Sequence, residues 1–313
     1  MKEQFLEHAK KLSVDIIGFA PANRFEKDNA IFKIFPQTKT VIGLAFRVLR
    51  GVYRGLEEGT TYHHYSTMGI ENLEEVMMPI ALIGLSQFLE ENGYTAIPQR
   101  LHQTIMSEND RTNPEVEYRS IKRGAKAENQ INFTQTAIKC GLGELGLSGK
   151  ILTDEYGPFI RYCFILTDAE FEPTPLYKKH LCDNCKECIK GCPGKAINDD
   201  GIINDWQCAV YYKGANGTRN PFLEPNAYQD FPNRMEIISG EYRADIETAK
   251  EILNDSNSYP PIPHFYNGCV CGKSCEVDCY VHLEEKGLLK KKFKTQFRKR
   301  EKWSFPLDDF NKK

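Results

Sequence analysis

The sequence has no long hydrophobic run and almost no net charge. No stretch of about 18 consecutive apolar residues occurs, so a membrane-spanning helix is not expected. Residues 1–12 are charged and amphipathic, without an apolar core or a pair of arginines, and do not resemble an export signal. Lysine and arginine number 41 against 43 aspartate and glutamate, which excludes an overall electrostatic attraction to nucleic acids or membranes. These absences predict a cytoplasmic protein without a membrane partner.

The composition is that of a globular protein with room for two domains. Of the 313 residues, 41% are hydrophobic and 27% are charged. The first 175 residues are predicted to form one α/β domain, with an amphipathic first helix and short apolar strands. The strands are predicted at 15–20, 40–46, 150–153 and 159–167. A domain rich in cysteine follows at 176–290, and 291–313 form a basic C-terminal tail typical of a solvated helix.

A long helix is predicted over residues 70–92. Its apolar residues recur at helical spacing, and Asn92-Gly93 is a typical helix C-terminus. The recurring apolar residues are Leu73, Val76, Met77, Ile80, Ile83 and Phe88. We expect all of them to be buried in the core.

Nine of the eleven cysteines lie between Cys182 and Cys279. In a long chain with no predicted export signal, such clustering indicates metal ligation rather than disulfides. Residues 182–193 have the spacing C-x2-C-x2-C-x3-C-P, which is typical of bacterial ferredoxins that hold [4Fe-4S] clusters. Zinc, the alternative, would normally use two separated C-x2-C pairs or histidines. Cys140 and Cys163 lie outside this region, in helix and strand patterns, and are expected to be buried structural thiols.

In a two-cluster ferredoxin the fourth cysteine of this motif binds a second cluster, so a partner motif is required. Residues 268–279 supply further cysteines. The first cluster is predicted to take Cys182, Cys185, Cys188 and Cys279. The second is predicted to take Cys192, Cys208, Cys275 and one of Cys269 and Cys271, of which Cys271 is preferred. Two such clusters conduct electrons rather than bind a substrate.

Two further segments resemble a known superfamily. Residues 9–22, AKKLSVDIIGFAPA, resemble the opening of epoxyqueuosine reductases, and residues 141–168, beginning GLGELGLSGKILTDEYGPF, are similar to the corresponding stretch of reductive dehalogenases. The resemblance implies a nitroreductase-like α/β domain that binds cobalamin, followed by a bacterial ferredoxin-like domain with two [4Fe-4S] clusters. It further implies a reductase of a small organic substrate, supplied by a low-potential electron donor such as ferredoxin or flavodoxin. A nucleic acid partner is expected only if the substrate is a tRNA.

The sequence departs from both families at several positions. Leu147 stands where the dehalogenases often have arginine, and Tyr280 follows the last cysteine where both families have proline. Epoxyqueuosine reductases have an acidic residue, proposed as proton donor, upstream of the glycines, and the corresponding count here reaches Ala127, next to Glu128. These departures favour a match to the superfamily rather than to either named enzyme.

The resemblance also implies a cofactor site at the glycine-rich segment and a proton donor beside it. The predicted cofactor-binding residues are Gly141, Gly143, Gly146, Gly149 and Lys150. Glycines there allow the close approach of a flat ligand, and they suit tight turns equally well. The predicted catalytic residues are Tyr62, His64 and Glu128. Two alternatives stay open: an electron carrier without a corrinoid, which delivers electrons to a partner enzyme or corrinoid protein, and a flavin enzyme.

Overall fold

The structure, a computed structural model, describes residues 1–60, 64–101, 130–254 and 269–310. Packing divides the chain into two units that interleave along the sequence. The first comprises Met1–Arg47, Leu73–Leu145 and Ile160–His180, and the second comprises Val48–Asn72, Gly146–Phe159 and Leu181–Lys313. The sequence predicts contiguous domains at 1–175 and 176–290, and those boundaries stay predictions.

Helices and strands alternate irregularly along the described chain. The helices are α1 Lys2–Lys11, α2 Ala30–Ile34, α3 Arg50–Glu58, α4 Met78–Glu91, α5 Phe133–Lys139, α6 Glu187–Lys190, α7 Asp205–Tyr212, α8 Arg234–Ser239, α9 Ile246–Asn254 and α10 Ser274–Glu285. The strands are β1 Ile16–Pro21, β2 Thr40–Arg47, β3 Ala96–Gln99, β4 Glu144–Leu145, β5 Ile151–Leu152 and β6 Ile160–Thr167. Short 3-10 turns lie at Ala22–Arg24, Gly217–Arg219 and Leu307–Phe310, and π-helical turns lie at Tyr65–Glu71 and Leu73–Met77.

The first unit is built on a four-stranded sheet in the order β1-β2-β6-β3. Every neighbouring pair in this sheet is antiparallel. β2 is buried along seven of its eight residues because both faces of the central strand are covered, which explains its continuous apolar sequence. The predicted mixture of helix and sheet is confirmed, and β1, β2, β5 and β6 agree with the predicted strands to within two residues.

A notch of two glycines lets α5 pack against this sheet. Gly18 in β1 and Gly43 in β2 are direct cross-strand partners. A Cβ atom on Gly18 would lie 2.0 Å from the carbonyl oxygen of Cys140, at the end of α5, so only glycine fits there. Cys140 and Cys163 are both completely buried, as predicted. Burial raises the pKa of both thiols well above the ordinary range, so they stay protonated.

The helix predicted over 70–92 is confirmed at its C-terminal end and wrong at its start. α4 ends at Glu91 with Asn92 as its cap, but it begins only at Met78, after π-helical turns. Pro79 lies in its first turn, where its missing N–H costs no hydrogen bond. α4 packs through Leu82, Leu85 and Leu89.

The predicted burial of the whole apolar set in this segment is wrong in part. The exposed fractions are 48% for Val76, 42% for Met77 and 55% for both Ile80 and Ile83. These four residues lie on the side of the segment opposite the buried leucines of α4. An apolar repeat locates the helix, but it does not decide which of its faces packs.

Stacked aromatic rings form a core in the second unit. Phe159 stacks on Tyr53 with ring centroids 3.9 Å apart, and on Tyr280 with centroids 4.2 Å apart. Tyr280, which stands where the related families have proline, is 2% exposed. Its ring fills the core, and its backbone continues α10, which a proline would interrupt.

The basic tail packs on the second unit, and the prediction of a solvated helix there is wrong. Within residues 291–310 the only regular element is the 3-10 turn Leu307–Phe310. Phe297 is 1% exposed, and Arg298 forms ion pairs with Glu57 and Asp278. Lys302 also pairs with Asp278. In the part of the chain that the structure describes, no helix is long and apolar enough to cross a membrane.

Candidate metal centres

Four of the predicted ligands surround one cavity in the second unit. They are Cys182, Cys185, Cys188 and Cys279. Cys182 and Cys185 come from the segment that leads into α6, Cys188 lies in α6, and Cys279 comes from the middle of α10. Left-handed backbone at Asn184 and Lys186, with φ of 59° and 64°, curls this segment around the cavity.

Of the four cysteines at this first cavity, Cys188 is buried and the other three are partly buried, and their thiols are close enough to influence one another. Burial raises the pKa of Cys188 and Cys279, and charge on the other thiols of the quartet raises it further. The backbone N–H of Leu147 donates a hydrogen bond to Cys182 Sγ at 3.3 Å. A group that binds all four sulfurs as thiolates must therefore carry positive charge to offset their repulsion.

The other four predicted ligands surround a second cavity in the same unit. They are Cys192, Cys208, Cys271 and Cys275. The walls of this cavity include Ile197, Ile203 and Tyr211. The backbone N–H of Ala196 donates to Cys192 Sγ at 3.2 Å, as Leu147 does in the first cavity. Each cavity therefore offers four thiols, mostly apolar walls and an amide donor to a sulfur.

Two lysines lie on the wall of the second cavity. Lys150 Nζ is 4.0 Å and Lys273 Nζ is 3.8 Å from the buried carboxylate of Glu276, which also accepts a hydrogen bond from the Tyr53 hydroxyl at 2.8 Å. Burial raises the pKa of Cys208, while the ammonium groups of Lys273 and Lys150 oppose that rise. Both lysines thus act electrostatically on the cysteines of this quartet.

Cys269 lies next to the second quartet without joining it. Its Sγ is 3.7 Å from that of Cys271, but Cys271 lines the cavity and Cys269 does not. Cys269 is 1% exposed, and its N–H donates to Ser66 Oγ at 2.8 Å. This placement supports the preference for Cys271 as the ligand.

The two cysteine quartets and the cavities that they surround fit iron–sulfur clusters better than single zinc ions. Zinc binds four thiolates at about 2.3 Å, which brings the sulfurs to roughly 3.8 Å from one another and leaves no large cavity. Each quartet here instead surrounds a cavity, which is the arrangement that a polynuclear core requires. Thiolate quartets are also the usual ligands of [4Fe-4S] clusters.

A hydrogen bond between Asp183 and His282 flanks the first cavity, and this pair is not among the residues predicted from the sequence. His282 Nε2 lies 2.9 Å from Asp183 Oδ2, which joins the cysteine loop to α10. Together with Cys185 they bring three ligand atoms within 4.8 Å of one another, so a mononuclear metal could also bind there. The position of His282 three residues after Cys279, on the same helix face, was the signal in the sequence.

The glycine-rich segment meets protein atoms at three of its glycines. A Cβ on Gly141, where φ is +72°, would lie 2.5 Å from the carbonyl oxygen of Pro175, and one on Gly146 would lie 3.0 Å from the Leu152 side chain. Gly149 has φ of +71° in a turn, and Gly143 is buried. The fold thus accounts for three of these glycines, and their role toward a cofactor stays a prediction. Lys150, predicted to bind the same cofactor, lies on the second cysteine cavity.

The predicted catalytic residues are placed only in part. His64 is exposed, directly before the π-helical turn Tyr65–Glu71. Tyr62 and Glu128 lie outside the described residues, which omit 61–63 and 102–129. Their proposed roles therefore stay predictions.

Comparison with known proteins gives matches of two kinds. No protein-family model matches the chain. The chain is 22% identical to an epoxyqueuosine reductase of Bacillus subtilis over 256 residues, which cover 69% of this chain and 56% of that protein. It is 32% identical to a tetrachloroethene reductive dehalogenase of Dehalobacter restrictus over 94 residues, which cover 28% of this chain and 16% of the relative. The chain thus spans about half the length of the first relative and a smaller part of the second.

A solved structure shares the fold. A catabolic reductive dehalogenase, solved in complex with 3-bromo-4-hydroxybenzoic acid, matches 91% of this chain and 36% of its own, with 12% identity and a TM-score of 0.50. The sequence matches therefore point to the same two enzyme families that the cysteine and glycine motifs resemble. The chain is similar in sequence to epoxyqueuosine reductases and to reductive dehalogenases, and it shares the fold of a reductive dehalogenase.

Proposed function

We propose that the protein is an iron–sulfur reductase in which two [4Fe-4S] clusters pass electrons to a bound cobalamin that reduces a small organic substrate. The observation that carries this proposal is the separation of the cysteines into two quartets around two cavities. Cys279 of the second motif joins the first quartet, and Cys192 of the first motif joins the second. Such crossed ligation is the pattern of two-cluster ferredoxins and supports a ferredoxin-like layout for the cysteine-rich part of the chain.

The chain's own residues would hold the clusters and tune them. When bound, the clusters supply one-electron transfer at low potential. The N–H groups of Leu147 and Ala196 donate to ligand sulfurs, which favours the more negative, reduced state of a cluster. The apolar walls lower the local dielectric constant beside the sulfurs, which strengthens these interactions.

The proposal of cobalamin rests on the relatives and on the glycine-rich segment. Cobalamin in such enzymes supplies the reducing chemistry toward the substrate. His64, Tyr62 and Glu128 are the proposed proton donors, and a low-potential protein such as ferredoxin or flavodoxin is the proposed electron donor. We further propose a nitroreductase-like layout for the part of the chain that carries the four-stranded sheet.

An electron carrier without a corrinoid is the second candidate. The observation that favours it is the packing of Gly141 and Gly146 against Pro175 and Leu152, which explains these glycines without a flat ligand. In that function the clusters would deliver electrons to a partner enzyme. Both candidates need the two cysteine quartets, so they differ only in corrinoid binding.

Titration with hydroxocobalamin separates the two candidates. The full chain is reconstituted anaerobically with iron and sulfide, mixed with hydroxocobalamin, desalted, and examined by visible absorption for retained corrinoid. The reductase predicts about one corrinoid per chain and a change of its spectrum on reduction. A chain with about eight irons that retains no corrinoid would favour the carrier. Free hydroxocobalamin passed through the same column is the control.

A further inference from the structure

A segment rich in lysine follows α10 in the second unit. Residues 286–300 contain eight lysines and arginines and no aspartate or glutamate, and we call them the basic segment. The whole chain has a formal net charge of −2, so the rest of the sequence is acidic on balance. A large share of the positive charge of the protein is therefore concentrated in one short stretch.

A buried side chain and hydrogen bonds fix the basic segment on the end of α10. Phe297 is 1% exposed, and its N–H donates to the carboxylate of Glu284 at 2.7 Å. The guanidinium of Arg54 donates to the carbonyl oxygen of Phe297 at 2.6 Å. Leu289, nearer the start of the segment, is 2% exposed. The segment forms no helix or strand, but these contacts give it a defined surface.

Five lysines of the basic segment pair with no carboxylate in the part of the chain that the structure describes. All five are exposed, and they are Lys286, Lys291, Lys292, Lys294 and Lys299. Two apolar side chains of the same segment are exposed as well, Leu288 at 36% and Phe293 at 46%. Apolar contacts with a rim of charged groups are typical of protein-binding surfaces. The free lysines select a partner with the opposite charge.

The basic segment begins close to the first cysteine quartet. Cys279, the predicted ligand from α10, and His282, one turn later, both line the first cavity. Lys286 follows the helix, about 10 Å along its axis from Cys279 at about 1.5 Å per residue. The ring of Phe297 packs against Tyr280, the residue after Cys279, with centroids 5.6 Å apart. A partner bound to the basic segment would thus lie near a predicted cluster, which favours a redox protein over a nucleic acid.

We propose that the basic segment is the docking surface for an acidic electron-donor protein. This inference rests on the proposed iron–sulfur function, which requires such a donor, and it adds where the donor binds. In the docked complex one electron leaves the reduced cofactor of the donor and reduces one oxidised cluster of this chain. Charge attraction reaches about 30 Å in 0.01 M salt and about 8 Å in 0.15 M salt, so it should speed the encounter chiefly at low salt.

Electron transfer from reduced flavodoxin, an acidic one-electron donor, tests the proposal. The full chain is reconstituted anaerobically and mixed with the donor in a stopped-flow instrument, and flavin absorption gives the second-order rate constant. The double variant Lys291→Gln/Lys294→Gln should lower this constant about tenfold in 0.01 M salt and much less in 0.15 M salt. Lys291→Arg/Lys294→Arg keeps both charges and should keep the rate. The matched control is Lys10→Gln/Lys250→Gln, which removes two exposed lysines outside the basic segment and should have little effect.

Chemical reduction with titanium(III) citrate, which needs no docking surface, reads the proposed function separately. Wild-type protein with fewer than about eight irons, or with clusters that this reagent cannot reduce, would contradict the two-cluster function and the inference with it. Reducible clusters that take no electrons from flavodoxin would overturn the inference alone. Equal rate constants for Lys291→Gln/Lys294→Gln and its matched control would also overturn it. Weaker binding of bulk tRNA by that variant, with an unchanged flavodoxin rate, would instead assign the basic segment to a nucleic acid.

Discussion

Cys269 is buried and Cys271, two residues later, is partly buried, and the two cysteines are placed differently toward the second cavity. Only Cys271 lines the second cavity, while the Sγ of Cys269 lies 3.7 Å away from that of Cys271. Alanine at each position forms a matched pair of variants with the same chemical change. Alanine is preferred to serine because a buried hydroxyl adds its own cost and serine can bind iron.

The expected difference between these variants follows from the ligand count. Cys271→Ala removes one of four sulfurs from the second quartet, so iron should fall from about eight to about four per chain. Cys269→Ala should keep about eight irons, since it removes only a buried sulfur. Its cost should be a loss of stability of about 1 kcal/mol, the value for a small buried apolar group.

Iron and acid-labile sulfide per chain, with the EPR signals of the reduced protein, measure this difference. The assignment of Cys271 as a ligand would be refuted if Cys269→Ala lost half of its iron while Cys271→Ala kept all of it. Cys271→Ala that keeps about eight irons would refute it as well. The double variant would then show whether Cys269 takes the place of Cys271.

Two further predictions concern the first unit. Cys140 and Cys163 should resist alkylation by iodoacetamide at pH 8 in the native protein and react after unfolding. Burial raises the pKa of both thiols and blocks access of the reagent. Peptide mapping that finds either cysteine labelled in the native protein would contradict its buried placement. Gly18→Ala should destabilise the protein by about 2–3 kcal/mol in a denaturant titration, since the new Cβ would lie 2.0 Å from the Cys140 carbonyl oxygen. Gly51 lies in α3, and a Cβ atom added there would have nothing within 4 Å, so Gly51→Ala should be neutral or slightly stabilising. Equal changes in stability for Gly18→Ala and Gly51→Ala would refute the predicted clash at Gly18.

Local patterns in the sequence predicted much of the sheet and of the helices. The apolar run of β2 and the cap at Asn92 depend on near neighbours in the chain, and both agree with the structure. The side chains of Ile80 and Ile83 were predicted to be buried but are exposed, because distant segments of the chain decide which face of a helix packs. The prediction of a solvated helix in the C-terminal tail was wrong for a similar reason. Arg298 forms ion pairs with Glu57 and Asp278, and Glu57 is far from it in the sequence.

The cysteine spacing predicts how the ligands divide, since the ferredoxin motif carries its crossed ligation in the sequence. In the structure four cysteines line each of two cavities, with Cys208 at the second, and their role as ligands stays a prediction. The amide donors of Leu147 and Ala196 could not be predicted, because backbone hydrogen bonds to sulfur depend on tertiary placement. Lys150 was assigned to a cofactor site from the glycine segment, whereas the structure brings it to the second quartet.

The central claim is that each cysteine quartet holds one [4Fe-4S] cluster. The most direct measurement is iron and acid-labile sulfide per chain after anaerobic reconstitution, combined with EPR of the reduced protein. The account predicts about eight irons and eight sulfides per chain, with signals from two interacting clusters. About four irons or fewer, or zinc bound in place of iron without sulfide, would contradict it.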